Sequence, residues 1–265
     1  MSDEDVSAHY ARVGLLAAIR EGLARLGKTP ATVNVDDLSP VDEFHIGGRQ
    51  ASEEFLGQLA LASNQRVLDI GCGLGGSARF AASRYGCHIT GIDLTEAYVT
   101  AGQVMCDWVG LEDRVLLRQG SALAMPFEAG TFDGAYMLHV GMNIADKRQL
   151  CAEVSRVLRP GGVFGIYDVM RTGEGELVYP VPWAATSQTS AVHAVDDYRV
   201  ALRAADFIIT VERNRRDFAL EFFANITARA AGGLMKCKQC YYCDALGFDC
   251  DMEHWPCWCG CCGMD

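Results

Sequence analysis

Val67-Leu68-Asp69-Ile70-Gly71-Cys72-Gly73-Leu74-Gly75-Gly76 is the stretch that decides the fold. Three large aliphatic side chains around Asp69 make a short strand, the glycines make a turn, and the residues behind them read as a helix. Glycines lack a Cβ, so this backbone can press against a ligand and place it near the helix N-terminus. Gly71, Gly73 and Gly76 also satisfy the dinucleotide-binding fingerprint, and Asp93 lies 22 residues past Gly71 at the end of the next apolar run.

Outward from this turn, strands and helices alternate. Arg66–Ile70 is the first strand and residues 77–85 a helix; His88–Asp93 is the second strand and residues 95–109 a helix with Thr95 at its N-cap. Residues 114–119, 132–139 and 163–169 read as three further strands, and a helix over 146–158 is stopped by Pro160-Gly161-Gly162. The alternation predicts an α/β fold, a Rossmann-like, mostly parallel sheet with helices on both faces. Apolar residues at helical spacing over 6–27 and a helix over 52–62 predict an N-terminal helical cover, joined by a proline-bearing loop around Pro30 and Pro40. Beyond Arg171, residues 172–192 read as a loop or lid, followed by a helix over 196–205, a strand over 207–212 and a helix over 218–230. The expected division is a cover over 1–62, a catalytic domain over 63–231 and a cysteine-rich tail over 232–265.

The composition sets limits on this reading. A chain of 265 residues, half hydrophobic and 22% charged, can bury a full core. A net charge of -11 argues against nucleic acid as a partner, and Arg213, Arg215 and Arg216 read as a solvated face. The start Met1-Ser2-Asp3-Glu4-Asp5 is acidic where a secretory signal is basic, and the apolar run over 13–19 is too short for a bilayer, so a cytoplasmic protein without membrane insertion is expected. Of the 12 cysteines, Cys72, Cys87, Cys106 and Cys151 read as buried apolar residues, and the other eight crowd between Cys237 and Cys262. Disulfides are not expected in a reducing compartment. Cys237, Cys240 and Cys243, with two residues between each and the next, and Cys250 as a fourth thiolate, suit one tetrahedral zinc ion. An unstructured tail and a C-terminus foreign to the enzyme stand beside that reading.

The glycine pattern alone does not separate a nicotinamide enzyme from a methyltransferase. Asp69 leans toward the second: a carboxylate at this strand end suits the sulfonium and ammonium of S-adenosylmethionine and sits poorly beside a pyrophosphate. From about residue 45 to residue 212 the order of segments resembles the class I methyltransferase family. The residues 67–75 are similar to its first motif, and Gly91-Ile92-Asp93-Leu94 to its second. Gln119-Gly120-Ser121-Ala122 is similar to the third, Phe132-Asp133-Gly134-Ala135-Tyr136 to the fourth strand, and Val157-Leu158-Arg159-Pro160-Gly161-Gly162 to the turn into the fifth. The resemblance implies S-adenosylmethionine as cofactor, held by Asp69, Gly71, Gly73 and Gly75. Asp93 and Leu94 would then lie at its ribose, and Ser121 and Ala122 at its adenine. It implies a small-molecule acceptor, as for the ubiquinone/menaquinone, tocopherol and sarcosine/dimethylglycine methyltransferases; the last of these favours an amine nitrogen. The chain departs from the family pattern at Ser121, where many relatives carry Asp, and at the cysteine tail, where the family has a seventh, antiparallel strand.

For the acceptor, His139 follows the fourth strand and reads either as a proton acceptor or as a packing group that orients a water. His45, in Phe44-His45-Ile46-Gly47-Gly48, is similar to the segment that closes over the methionine end of the cofactor, with a surface-loop histidine as the alternative. Tyr10, Phe44, Tyr136, Tyr179 and Trp183 are candidate aromatic walls. Two other functions remain in view: a nicotinamide-dependent oxidoreductase, and an inactive α/β domain whose tail binds metal.

Overall fold

The computed structural model describes residues 14–231. Its centre is a parallel sheet of five strands, β1 (Arg66–Ile70), β2 (His88–Asp93), β3 (Val115–Gln119), β4 (Phe132–Leu138) and β5 (Leu158–Tyr167), in the order β3-β2-β1-β4-β5. Helices α4 (Gly76–Tyr85), α5 (Glu96–Trp108) and α6 (Lys147–Val157) make the crossovers. Period-two alternation along the strands feeds two cores. Val67, Ile89, Leu117 and Tyr136 pack with Ala78, Ala81 and Ala82 on one face, and Leu68, Ile70, Ile92 and Met137 pack with Leu150, Val154 and Val157 on the other. The chain runs outward from β1 to β3 and then returns to place β4 on the other side of β1, so the strand order reverses between β1 and β4. An open α/β sheet keeps its ligand crevice at such a point.

The cover consists of α1 (Leu15–Arg25), α2 (Val35–Asp42) and α3 (Gly48–Leu56). Leu15, Ile19, Leu23, Leu38 and Val41 share one apolar cluster with Leu74, Tyr98, Ala101 and Met105. The expected loop around Pro40 is a helix instead. Asn34 caps it by accepting from the backbone N–H groups of Asp36 and Asp37, Asp37 answers by accepting from Asn34 N–H, and this box outweighs the one backbone bond that Pro40 forfeits. Residues 6–13 of the expected first helix lie outside the described residues. Thr95 does hold the N-cap position of α5, but its side chain makes no capping bond.

The strand expected over 207–212 is not formed. A strand needs a neighbour for its N–H and C=O groups, and among the described residues β5 has no strand on its outer side. Ile208 and Val211 are consequently exposed between α7 (Val195–Ala204) and α8 (Arg216–Ala231). Among the described residues no helix is long and apolar enough to cross a membrane.

A fully buried ion pair ties the cover to α4 beneath the sheet. Arg79 of α4 and Asp42 of α2, with side chains 0% and 1% exposed, meet at 2.5 Å, and Arg79 also donates to Gly102 O at 3.1 Å. Gly76 permits the approach: a Cβ there would lie 2.4 Å from Asp42 O. Removing one partner of such a pair strands a buried charge at a cost of about 3–5 kcal/mol. We expect Arg79→Met to lose about that much in urea unfolding, and the Arg79→Met/Asp42→Asn double variant to recover part of it.

Candidate active site

The reversal point opens into a cavity of about 360 Å³, within the range of small-molecule sites. Gly71 and Gly73 at the end of β1, Asp93 and Leu94 at the end of β2 and His139 after β4 all line it. The glycine turn is fixed to the neighbouring strand, Gly71 N–H donating to Ile92 O at 2.8 Å. Gly73 has φ +52°, and a Cβ there would meet nothing nearer than Tyr98 Cδ2 at 4.0 Å. A side chain at this position would therefore enter the cavity, not the protein. Gly75, expected at the cofactor, does not line the cavity; it is the N-cap of α4 and faces Leu117 and Arg79.

Asp93 accepts from Gly73 N–H at 2.9 Å and from Thr95 N–H at 2.8 Å, one bond to each oxygen. Each oxygen keeps a further lone pair, which suits two vicinal hydroxyls. Burial pushes its carboxyl above the usual range, against the pull of these two backbone donors. Asp69, buried at the cavity wall, accepts from Ser77 Oγ at 2.7 Å, and burial pushes it up to about 7. Among the described residues no cationic side chain forms an ion pair with Asp69. A buried carboxylate without a counter-charge fits a cationic ligand group, whose approach would restore its ionised form. Ser121, Ala122 and Leu123 form the wall beyond Asp93, with Ser121 Oγ accepting from Leu123 N–H at 3.2 Å.

The two histidines meet at the opposite wall, their ring centroids 6.1 Å apart. His139 takes a positive φ of 53°, donates its N–H to Tyr167 O at 2.7 Å and stacks on the Tyr167 ring at 5.3 Å. Burial first, then His45, pushes its imidazole down to about 3, and burial pushes His45 down to about 4. Both rings are therefore neutral at working pH. His45 is buried, which excludes the surface-loop alternative, and Tyr167 OH holds its segment by donating to Ile46 O at 3.1 Å.

Of the aromatic candidates, Phe44 and Trp183 line the cavity, Tyr136 is core, Tyr179 is not in the wall, and Tyr10 lies outside the described residues. Sequence reasoning missed Tyr98 and the segment Met142 to Asp146. Asn143 ties down the segment 172–192 by donating to Trp183 O at 3.0 Å, a contact across 40 residues that no local pattern signals. Arg215 is paired with Glu54 at 2.6 Å and lies over the Phe218 ring, so the expected solvated face is partly engaged. The proposed zinc ligands Cys237, Cys240, Cys243 and Cys250 lie outside the described residues. Among the described residues no group of three or more metal-binding side chains comes together.

Comparison with known proteins bears on this geometry. Residues 67–162 match the family model described as a methyltransferase domain. A sterol 24-C-methyltransferase of Gibberella zeae is 33% identical over 114 residues, covering 43% of this chain and 30% of that protein. A probable chloroplastic tocopherol O-methyltransferase of Oryza sativa is 40% identical over 95 residues, covering 36% of this chain and 26% of that protein. The chain thus matches under a third of the length of these two curated relatives. A geranyl diphosphate methyltransferase solved in complex with S-adenosylmethionine superposes with a TM-score of 0.60 at 25% identity, over 73% of this chain and 76% of that one.

Two substitutions test the cradle. Gly73→Val should abolish S-adenosylhomocysteine binding in calorimetry with only a modest loss of stability, about 1–2 kcal/mol, from a side chain placed at a left-handed φ of +52°. Asp93→Asn, which keeps its shape but loses the charge-assisted bonds, should weaken binding by about 1.5–3 kcal/mol. Unchanged affinity in a folded Asp93→Asn protein would remove Asp93 from the site.

Proposed function

We propose, from a chain whose residues 67–162 are a class I S-adenosylmethionine-dependent methyltransferase domain, that the protein transfers a methyl group to a small-molecule acceptor. The observation that carries this reading is the pairing of two carboxylates with one glycine turn. Asp93 is preset for a ribose, and Asp69 is buried without a counter-charge where a sulfonium or ammonium would come. The same Asp69 speaks against a nicotinamide dinucleotide, whose pyrophosphate would face it. The methyltransferase family model and the superposition on an S-adenosylmethionine complex support the reading, and they do not favour an inactive domain.

When bound, S-adenosylmethionine supplies a methyl group already activated on a sulfonium, so no covalent nucleophile is asked of the chain. Its residues must align the acceptor and exclude water, and such positioning is worth about 7–11 kcal/mol in favourable cases. Asn143 does part of this by holding Trp183 over the cavity. Phe44 and Trp183 support an amine nitrogen as the acceptor atom through cation–π attraction. A second reading, an acceptor with an apolar body, is favoured by Leu138, Val140, Met142, Ile144 and Pro182 in the same wall. We place the protein in the cytoplasm, a reading supported by four free, buried thiols, and the net charge of -11 supports a partner other than nucleic acid.

The protein incubated with methyl-labelled S-adenosylmethionine and a fractionated cell extract should release S-adenosylhomocysteine and label one small molecule, whose structure identifies the acceptor. No release above a heat-denatured control, together with a melt raised by nicotinamide dinucleotide and not by S-adenosylhomocysteine, would overturn the assignment. At a hundredfold excess over its dissociation constant, the bound ligand should add about 2.7 kcal/mol to stability.

A further inference from the structure

The wall contributed by the cover contains a chain of hydrogen bonds that cofactor binding does not require. Ser52, buried in α3, donates its hydroxyl proton to Glu43 Oε2 at 3.0 Å. The same hydroxyl oxygen lies 3.0 Å from His45 Nε2, which is also 2.9 Å from the carbonyl oxygen of Gly48. A carbonyl can only accept, so Nε2 carries the ring proton and shares it between Gly48 O and Ser52 Oγ. The resting tautomer is thereby set. Nδ1 is left as a bare acceptor, without a protein partner among the described residues, on a side chain that lines the cavity. Glu43 closes the far end of the chain: its side chain is 1% exposed, and Oε1 lies 2.9 Å from Arg49 Nη1.

We infer that Glu43, Ser52 and His45 form a proton relay that takes the proton of the acceptor during methyl transfer. His45 Nδ1 is the base that meets the substrate, and Ser52 and Glu43 are positioning residues behind it. The inference rests on the methyltransferase reading. As the acceptor's electron pair bonds to the methyl carbon, the carbon–sulfur bond breaks and its pair stays on sulfur. The proton on the acceptor atom passes to His45 Nδ1, the Nε2 proton passes to Ser52 Oγ, and the proton of Ser52 passes to Glu43 Oε2. The imidazole ends neutral with its proton on Nδ1, and Glu43 ends as a carboxylic acid; after product leaves, Glu43 returns its proton through Ser52 to Nε2 and Nδ1 releases its proton into the cavity, which restores the resting tautomer.

The relay resolves an electrostatic difficulty. An imidazole held at about 4 would be a poor final home for a proton. Burial, and after it the neighbouring Asp42, pushes Glu43 up to about 7, so a proton delivered there is held near neutral pH. The substrate class follows. The acceptor atom carries a proton to lose, as a hydroxyl, a thiol or an amine N–H does.

One test needs no acceptor. Nitrogen-labelled histidine NMR of the full chain with S-adenosylhomocysteine should show His45 protonated at Nε2 and bare at Nδ1. Its Nε2 signal should shift as Glu43 titrates near a pH of about 7, and Ser52→Ala should abolish that coupling. A His45 protonated at Nδ1, or an Nε2 signal indifferent to Glu43→Gln, overturns the relay. The second test uses the acceptor identified from the extract. Wild-type kcat should rise with pH through about 7, as Glu43 loses its proton. Glu43→Gln should lose that limb and about a hundredfold in kcat, with S-adenosylhomocysteine affinity unchanged. A limb that survives in Glu43→Gln, or kcat and affinity falling together at every pH, makes Glu43 structural only and overturns the proposal. Absence of transfer by the wild-type protein removes the methyltransferase reading and the relay with it, whereas these variant results overturn the relay alone.

Discussion

A guanidinium sealed from water must be paired, and Arg79 is paired with Asp42, 37 residues earlier in the chain. This contact holds the cover against α4 and so decides what the cavity is made of. Without it, one wall of the crevice, with Phe44 and His45, would have no fixed relation to the glycine turn. Gly76 lets the two backbones approach, and the apolar cluster shared by α1, α2 and α5 closes around them. The cover therefore does more than shield the sheet: it supplies one wall of the cavity.

The low dielectric of this enclosure sets the charge state of the whole site. Burial raises Asp69 and Glu43 to about 7 and lowers His45 and His139 to about 4 and about 3, so each group is biased toward its uncharged form. A cationic ligand entering such a site meets no competing positive charge from the histidines, and a carboxylate ready to ionise against it. The same environment makes a lone imidazole a weak base, which is why the hydrogen-bonded neighbours of His45 matter more than its position in the sequence suggests.

The segment 207–212 shows the limit of reading residues one at a time. Phe207, Ile208, Ile209 and Val211 have strand character, yet a strand is a property of a pair, and β5 has no strand on its outer side among the described residues. The proline-bearing stretch at 35–42 errs in the other direction. Pro40 suggested a loop, but the Asn34–Asp37 capping box nucleates a helix before the proline is reached.

The sequence by itself determined the parts whose physics is local or periodic. Alternation of strands and helices set the parallel sheet, glycines set the turn after β1, and the spacing from Gly71 to Asp93 set a carboxylate at the end of β2. Each depends on neighbours a few residues away or on a repeat that survives in one dimension. The tertiary structure alone decided which of these residues share a cavity and in what state. It sent Gly75 to the core side and Gly73 to the cavity side, though both are glycines in one turn, because Leu117 and Arg79 crowd the first and nothing crowds the second. It brought Asn143 to Trp183 across 40 residues, and it set the resting His45 tautomer through Ser52 and Gly48. Burial and the direction of a hydrogen bond depend on three-dimensional surroundings, and no spacing in the chain records them.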